Sequence, residues 1–129
     1  MVNFAFDMPL EELQNCRLPQ TKEPDFDVFW QQVLEENRKQ PLSPTSQVVD
    51  YPVPSVHVEK VSYAAFDGGR IVGWYIAPIG QGPFPTLVFY HGYSGNRGRV
   101  ANYLMWALQG CACFTIDVRG QNGESSDEA

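Results

Sequence analysis

Two apolar segments with a helical pattern between them constrain the fold of this chain more than any other feature. The first, residues 86–90, is a short unbroken apolar run of the kind that a parallel sheet buries on both faces. Residues 99–109 follow the helical repeat, and Gly110 can supply a left-handed C-cap. A second apolar run, residues 111–118, follows at once. This order predicts a strand, a helix and a strand, joined by a right-handed crossover in a parallel sheet.

An alternating pattern upstream predicts a β-hairpin. From Val56 onward the side chains alternate with a period of two, and Asp67-Gly68 supplies a turn before a second strand at 70–76. The hairpin and the strand, helix and strand that follow it predict an α/β fold class.

The first fifty residues predict peripheral helices and a connector. A short helical candidate lies within residues 8–17, and Pro24 opens a stronger one. Its apolar positions follow the i, i+3, i+4, i+7, i+8 rule, so this stripe has to pack on another surface. The stripe consists of Phe26, Phe29, Trp30, Val33 and Leu34. Residues 40–54 carry four prolines and are expected to be an extended connector. We therefore divide the chain into N-terminal helices with a Pro-rich connector, 1–54, and the first strands of the α/β domain, 55–129.

Composition and charge argue against several classes of protein. Fifteen acidic and nine basic residues give a net charge of -6 without a basic patch, so we expect no binding to nucleic acid. The sequence has no apolar run of about 18 residues and no signal-peptide pattern, so we expect no membrane association and a cytoplasmic location. Cys111 and Cys113 lack the spacing of zinc or redox sites. We expect them to be reduced core residues, and we expect no metal and no cofactor.

The loop HGYSGN, residues 91–96, carries the most chemical information. It follows a buried strand and precedes a helix, which is where an α/β-hydrolase places the loop that donates one N–H to the oxyanion hole. We expect Gly92 to allow a close turn. Tyr93 is the expected donor through its backbone N–H, and its ring would line the acyl pocket. The alternative is an ordinary strand-to-helix turn with an exposed tyrosine.

No serine of this chain fits a nucleophile elbow. Ser94 lies in GYSGN, whose fifth residue is Asn96 where the G-x-S-x-G elbow needs glycine, and the elbow belongs to a later strand. Ser125 and Ser126 have no strand before them and no helix after them. We therefore assign none of these hydroxyl groups as a nucleophile.

A charged turn, residues 117–125, closes the second apolar strand. Many α/β-hydrolases carry a D-x-R-G-x-G-x-S turn at this position, and this copy is one residue longer. The five fixed donors of Arg119 can tie neighbouring loops together. We therefore expect structural rather than catalytic roles for Asp117 and Arg119.

Six segments together resemble the acetyl xylan esterase and cephalosporin C deacetylase family: PLEELQ, DFDVFW, WYIAP, HGY, WALQG and VRGQ. HGY followed by RGQ 28 residues later is specific when the DFDVFW helix lies upstream. The resemblance covers almost the whole chain. It implies a metal-free serine esterase that removes acetyl groups from xylo-oligosaccharides and cephalosporin C, assembled as a homo-oligomer that is typically a ring of six.

The same resemblance implies the roles of individual residues. The tyrosine of HGY, which is Tyr93, would give one oxyanion N–H. The RGQ turn would support the loops of the active site. The supporting residues are then His91, Gly92, Arg119, Gly120 and Gln121.

The chain departs from the family in one respect. The family's serine elbow, aspartate and histidine all follow the RGQ turn, and this chain ends eight residues after Gln121. His91 ends a strand and His57 begins the hairpin, so neither replaces the missing base. We expect a truncated esterase without turnover of its own. We also expect an unpaired apolar strand edge, and hence self-association or association with the missing C-terminal half.

Two further hypotheses stay open at this point. The chain could be a non-catalytic interaction or regulatory module that docks on a full-length homologue through its N-terminal helices. It could also belong to another branch of the α/β-hydrolases, such as a dienelactone hydrolase or a peptidase-like enzyme. An acyl-substrate panel on the full-length form separates the second of these from a deacetylase.

Overall fold

The computed structural model describes residues 8–126, which form two compact units divided between Glu35 and Glu36. The first unit contains helix α1, Leu10–Asn15, and most of helix α2, Phe26–Lys39. The second contains a five-stranded sheet. The observed division lies upstream of the boundary expected after residue 54, and that boundary stays a prediction.

Both N-terminal helices form where the sequence predicts them. In α2, Asp27 lies in the first turn and Arg38 and Lys39 in the last, where each charge complements the helix dipole. The predicted stripe of α2 is present, but its large side chains are about half exposed and no residue of α2 is buried. Trp30 packs against the rings of Phe26 and Phe29 at centroid distances of 6.2 and 5.6 Å. The aromatic part of the stripe therefore packs on itself.

The sheet has the strand order β1-β2-β3-β5-β4. Its strands are β1 (Thr45–Val48), β2 (Val56–Ala64), β3 (Arg70–Pro78), β4 (Thr86–Tyr90) and β5 (Ala112–Ile116). The predicted hairpin is confirmed as the antiparallel pair β2 and β3, and the predicted parallel pair is confirmed as β4 and β5. Strand β5 also pairs antiparallel with β3, which joins the hairpin to the parallel pair in one mixed sheet.

Strand β1 lies inside the segment expected to be only a connector. It pairs antiparallel with β2, and the N–H of Val49 extends the ladder to the carbonyl of Val58 at 2.9 Å. Pro44 and Pro52 lie outside the strand, so neither removes a ladder donor. The expectation of extended backbone for residues 40–54 was right. The high proline content of the segment led us to expect no strand there, and the short edge strand β1 was missed.

The connection from β4 to β5 is shorter than the predicted helix at 99–109. It consists of a 3₁₀ turn, Val100–Tyr103, followed by one α-helical turn, α3, Leu104–Ala107. Asn102 accepts a hydrogen bond from the N–H of Arg99 at 2.9 Å, which holds the tight first turn. Gly110 ends the helix at φ +92°, so its predicted role as a C-cap is confirmed.

The core lies mainly on one face of the sheet. Its buried members are Val56, Val58, Ile76, Val100, Ala107 and Cys113, and a smaller cluster on the sheet contains Ala65, Ile71 and Ile116. Burial raises the pKa of the Cys113 thiol, as expected for a core cysteine, whereas Cys111 is only partly buried and departs from that expectation. No helix within residues 8–126 is long and apolar enough to cross a bilayer.

Strand β4 is exposed rather than buried. Val88 and Tyr90 lie on one face of the strand and are more than half exposed, whereas Leu87 and Phe89 on the other face are partly buried. Within the described residues β4 also has a neighbouring strand on one side only. The expectation that both apolar strands are buried on both faces therefore holds for β5 and is wrong for β4. The expected unpaired apolar edge is present within residues 8–126.

Gly73 of β3 is required by the close approach of β5. A Cβ at this position would clash with the carbonyl oxygen of Thr115. We expect Gly73→Ala to lower the free energy of unfolding by about 1–3 kcal/mol, because the paired strands have to move apart. Chemical denaturation followed by circular dichroism measures it. Gly92→Ala is the matched control, since an added Cβ there meets nothing within 4 Å, and equal losses for the two variants would contradict the prediction.

Candidate functional site

The candidate site lies at the carboxyl ends of the two parallel strands. Tyr90 of β4 and Ile116 of β5 are partners in register, so the segments that follow them leave the sheet side by side. We call residues 91–99 the first loop and residues 117–126 the second loop. The carboxyl edge of parallel strands is where α/β folds build ligand sites.

A buried ion pair joins the two loops. The carboxylate of Asp117 is fully buried and accepts the backbone N–H of Arg97 at 2.7 Å and that of Glu124 at 2.8 Å. The guanidinium of Arg97 pairs with both Asp117 and Glu124 and lies over the ring of Trp74, 4.6 Å from its centroid. The indole N–H of Trp74 donates to the carbonyl of Gly98 at 3.1 Å. We call these contacts the Arg97–Asp117 clamp.

The second loop folds back along β3 instead of extending into solvent. Ser125 donates to the carbonyl of Asp117 at 2.7 Å and accepts the N–H of Val72 at 2.9 Å. Ser126 accepts the N–H of Arg70 at 2.6 Å. These two hydroxyl groups continue the hydrogen bonding of the β3 edge past the end of β5.

Two further contacts join the loops on the side of the HGY motif. The Nε2 atom of His91 accepts the N–H of Val118 at 2.9 Å, and its Nδ1 atom lies 2.9 Å from the carbonyl oxygen of Gly92. The side-chain amide of Asn122 donates to the carbonyl of Ser94 at 2.7 Å. The backbone around Tyr93 is thus held on both sides.

Tyr93 projects from the first loop. Its side chain is 95% exposed, and its backbone N–H has no hydrogen-bond partner within residues 8–126. A free N–H in a loop that is held in place by other contacts is the arrangement that an oxyanion donor needs. The role of Tyr93 in catalysis stays a prediction.

Gly92 does not have the conformational role expected of it. Its φ is not in the left-handed region, and an added Cβ would meet no atom within 4 Å. The left-handed residues of the loop are Ser94, at φ +59°, and Gly98, at φ +70°. The steric requirement falls on Gly95, where a Cβ would lie 2.9 Å from the carbonyl oxygen of Gly92 and 3.0 Å from Nδ1 of His91.

The RGQ residues face different neighbours. Arg119 pairs with Asp67 in the turn between β2 and β3 at 2.6 Å and donates from Nε to the carbonyl of Ser126 at 3.1 Å. Gly120 has φ +69°, which favours glycine. The Oε1 atom of Gln121 is buried without a partner in the described part of the chain. Arg119 therefore connects neighbouring loops, as we expected from its five donors. The support of an active site by the RGQ turn stays a prediction.

Arg97 and Glu124 were not identified from the sequence as members of the site. Two features of the sequence could have indicated an ion pair. A basic residue lies in a loop of small polar residues, and an acidic residue directly follows a buried strand. Arg97 is 20 residues from Asp117 and 27 residues from Glu124, so both pairings depend on the parallel register of β4 and β5.

Salt bridges lower the pKa of two carboxyl groups around the site. Lys60, and then Arg97, hold the pKa of Glu124 below its ordinary value, and Arg119 does the same for the pKa of Asp67. No group of three His, Cys, Asp or Glu side chains within residues 8–126 is arranged to hold a metal ion. The charged side chains of the site form ion pairs that hold the loops in place.

Comparison with known proteins identifies the family. Residues 3–129 match the family described as acetyl xylan esterase (AXE1). The chain belongs to the acetyl xylan esterase family. The resemblance noted in the sequence is thereby confirmed, and with it the fold as the N-terminal part of an α/β-hydrolase sheet.

Two solved structures of acetyl xylan esterases have the same fold over this segment. The enzyme from Paenibacillus sp. R4 is 44% identical, with a TM-score of 0.87 over 95% of this chain and 40% of that one. Acetyl xylan esterase 1 from Thermoanaerobacterium sp. JW/SL YS485 is 32% identical, with a TM-score of 0.87 over 95% of this chain and 39% of that one. This chain thus spans about 40% of the length of these family members.

The Arg97–Asp117 clamp should dominate the stability of the loops. We expect Asp117→Ala to lower the free energy of unfolding by about 3–5 kcal/mol, because it leaves a buried guanidinium with one partner fewer. Asp27→Ala removes the carboxylate of the exposed Lys22 pair and should cost about 0–1 kcal/mol. Urea titrations of the two variants measure the difference, and similar costs would show that the clamp is not what holds the loops.

The lowered pKa of Glu124 makes the second loop sensitive to acid. A carboxyl group whose pKa is lower in the folded state stabilises the fold above its unfolded pKa, and that stability is lost as the pH falls through the folded value. We therefore expect stability to decline below about pH 4.5, and Glu124→Gln to reduce this decline. Thermal unfolding between acid and neutral pH measures it, with Glu36→Gln on α2 as control. An unchanged pH profile for Glu124→Gln would contradict the prediction.

Proposed function

We propose that this chain supplies the oxyanion loop of a serine carboxylic ester hydrolase whose nucleophile and base come from sequence beyond it. The observation that carries the proposal is the free backbone N–H of Tyr93, in a loop that the clamp, His91 and Asn122 fix at the carboxyl end of β4. Membership in the acetyl xylan esterase family supports it.

The chemistry follows from the charge that develops during ester hydrolysis. Attack on the acyl carbon turns the carbonyl oxygen into an oxyanion, and a donor already in place there lowers the barrier by about 2.7–4 kcal/mol. The N–H of Tyr93 is such a donor. In this proposal its exposed ring forms one wall of the acyl pocket.

The isolated 129-residue chain is proposed to have no esterase turnover. Ser125 and Ser126 hydrogen bond to the backbone of the sheet, and both ring nitrogens of His91 are used within the loops. His57 pairs with Glu59 at 2.6 Å on β2. Within the described residues, no hydroxyl group is paired with a histidine that could activate it.

The proposed substrates are acetyl esters of saccharides. The two structurally similar proteins are described as acetyl xylan esterases, which supports an acetylated xylo-oligosaccharide as the substrate of the full-length form. Deacetylation of cephalosporin C is proposed on the sequence resemblance alone. A homo-oligomer is proposed as well, since the aromatic stripe of α2 and the edge of β4 are both exposed.

A second candidate is a non-catalytic module that docks on a full-length homologue. The exposed stripe of α2 favours it, because Phe26, Phe29 and Trp30 present a connected aromatic surface. Mixing the chain with the Paenibacillus esterase and measuring oligomer size tests this candidate. No change in size would exclude it.

Hydrolysis of p-nitrophenyl acetate tests the proposed function. We expect no turnover by the chain alone, and we expect activity when it replaces the matching N-terminal segment of the Paenibacillus sp. R4 esterase. In that fusion Tyr93→Pro, which removes the N–H, should lower kcat roughly 10²–10³-fold. Tyr93→Phe keeps the N–H and should not.

Two controls complete this test. Replacing the serine of the partner's elbow by alanine defines the background of the fusion. A longer acyl ester tests whether the pocket prefers acetyl groups. Turnover by the isolated chain above the buffer rate would refute the proposed inactivity, and equal kcat values for Tyr93→Pro and Tyr93→Phe would refute the role of the Tyr93 N–H.

A further inference from the structure

We propose that His91 is a positioning residue of the oxyanion hole: a neutral ring, protonated at Nδ1, that sets the direction of the Gly92–Tyr93 peptide and couples it to the second loop. This inference rests on the proposed function, because it explains how the N–H of Tyr93 is held. His91 does not touch the reacting atoms in this role. It acts through the peptide that does.

The hydrogen bonds of the ring define its tautomer. The backbone N–H of Val118 can only donate, so Nε2 of His91, 2.9 Å away, carries no proton and accepts. In a neutral imidazole the proton then lies on Nδ1. That nitrogen lies 2.9 Å from the carbonyl oxygen of Gly92, which can only accept. Both contacts are satisfied by one tautomer, and a ring protonated at Nε2 would set two donors against each other at Val118.

The second of these bonds acts on the peptide that carries the oxyanion donor. The carbonyl of Gly92 and the N–H of Tyr93 belong to one planar peptide unit, in which the two groups point in opposite directions. The Gly92 oxygen accepts from His91 and also from the N–H of Gly95 at 3.0 Å. Two donors on this oxygen fix the plane and turn the N–H of Tyr93 to the opposite side. They also polarise the peptide, which makes that N–H a stronger donor.

The packing around the ring leaves little freedom for another arrangement. A Cβ at Gly95 would lie 3.0 Å from Nδ1 of His91 and 3.1 Å from its Cβ, so the loop closes directly over the ring. Val118 is the residue between Asp117 of the clamp and Arg119. His91 thereby connects the Tyr93 peptide to the backbone next to Asp117, whose side chain is part of the clamp.

The tautomer can be measured in the 129-residue chain without any catalysis. The chain has two histidines, so in the His57→Gln variant His91 gives the only imidazole signals in ¹⁵N spectra. We expect a proton on Nδ1 and none on Nε2 at neutral pH. Solid-state spectra report the same nuclei if the chain self-associates. A ring protonated at Nε2, or one that exchanges between both tautomers as a free histidine does, would overturn the proposal.

Two amide substitutions then separate the two hydrogen bonds. Asparagine places its amide nitrogen near the position of Nδ1, so His91→Asn keeps a donor for Gly92 and loses the acceptor for Val118. Glutamine reaches the position of Nε2, so His91→Gln keeps the acceptor and loses the donor. In the esterase fusion we expect His91→Gln to lower kcat roughly ten- to a hundredfold with little change in KM. His91→Asn should recover most of that loss.

The outcomes distinguish this inference from the function on which it rests. Equal kcat values for His91→Asn and His91→Gln in an active fusion, or a loss carried mainly by KM, would overturn the role of His91 alone. A folded but inactive wild-type fusion would overturn the proposed esterase function and the catalytic part of this proposal with it. His57→Gln lies outside the site and controls for the loss of a histidine. Amide exchange at Val118 should quicken in His91→Asn and not in His91→Gln.

Discussion

A carboxylate removed from water has to be compensated by charge and hydrogen bonds, and Asp117 shows what this requires of the surrounding chain. Its partners are the backbone and guanidinium of Arg97 and the N–H of Glu124, which come from two different loops. Both loops therefore have to lie where they do for the charge to be tolerated. The position of the HGY motif follows from this constraint, because the motif lies in the same loop as Arg97.

The mixed sheet is what brings those loops together. β5 pairs with β3 on one side and with β4 on the other, so its last residue lies beside the last residue of β4. Gly73 allows β3 to approach β5 closely, and the serines of the second loop bond to β3 beyond the end of β5. A local change in β3 would thus reach the candidate site through backbone contacts.

The elements that the sequence predicted well are those whose pattern is local. The hairpin, both N-terminal helices and the parallel pair of strands were recognised from periodicity, turns and caps, which act within a few residues. Strand β1 was missed because its partner, β2, begins only after a further loop. The helix between β4 and β5 was predicted too long, because Tyr103 donates its hydroxyl to the carbonyl of Arg97 at 2.7 Å and holds the first turn in the tighter 3₁₀ form.

The sequence by itself determined the fold class, the order of most strands along the chain, the family and the position of the HGY and RGQ motifs. These depend on spacing and on the type of side chain, which can be read directly. Only the tertiary structure decided that Arg97 pairs with Asp117, that Gly95 rather than Gly92 is crowded, and that residues 119–126 fold back on β3. Gly95 is crowded by Gly92 and His91 of its own loop, through a turn geometry that the residue types do not specify. The other two join positions that are close only because β4 and β5 are parallel and β5 lies beside β3, and no local pattern in the chain carries that information.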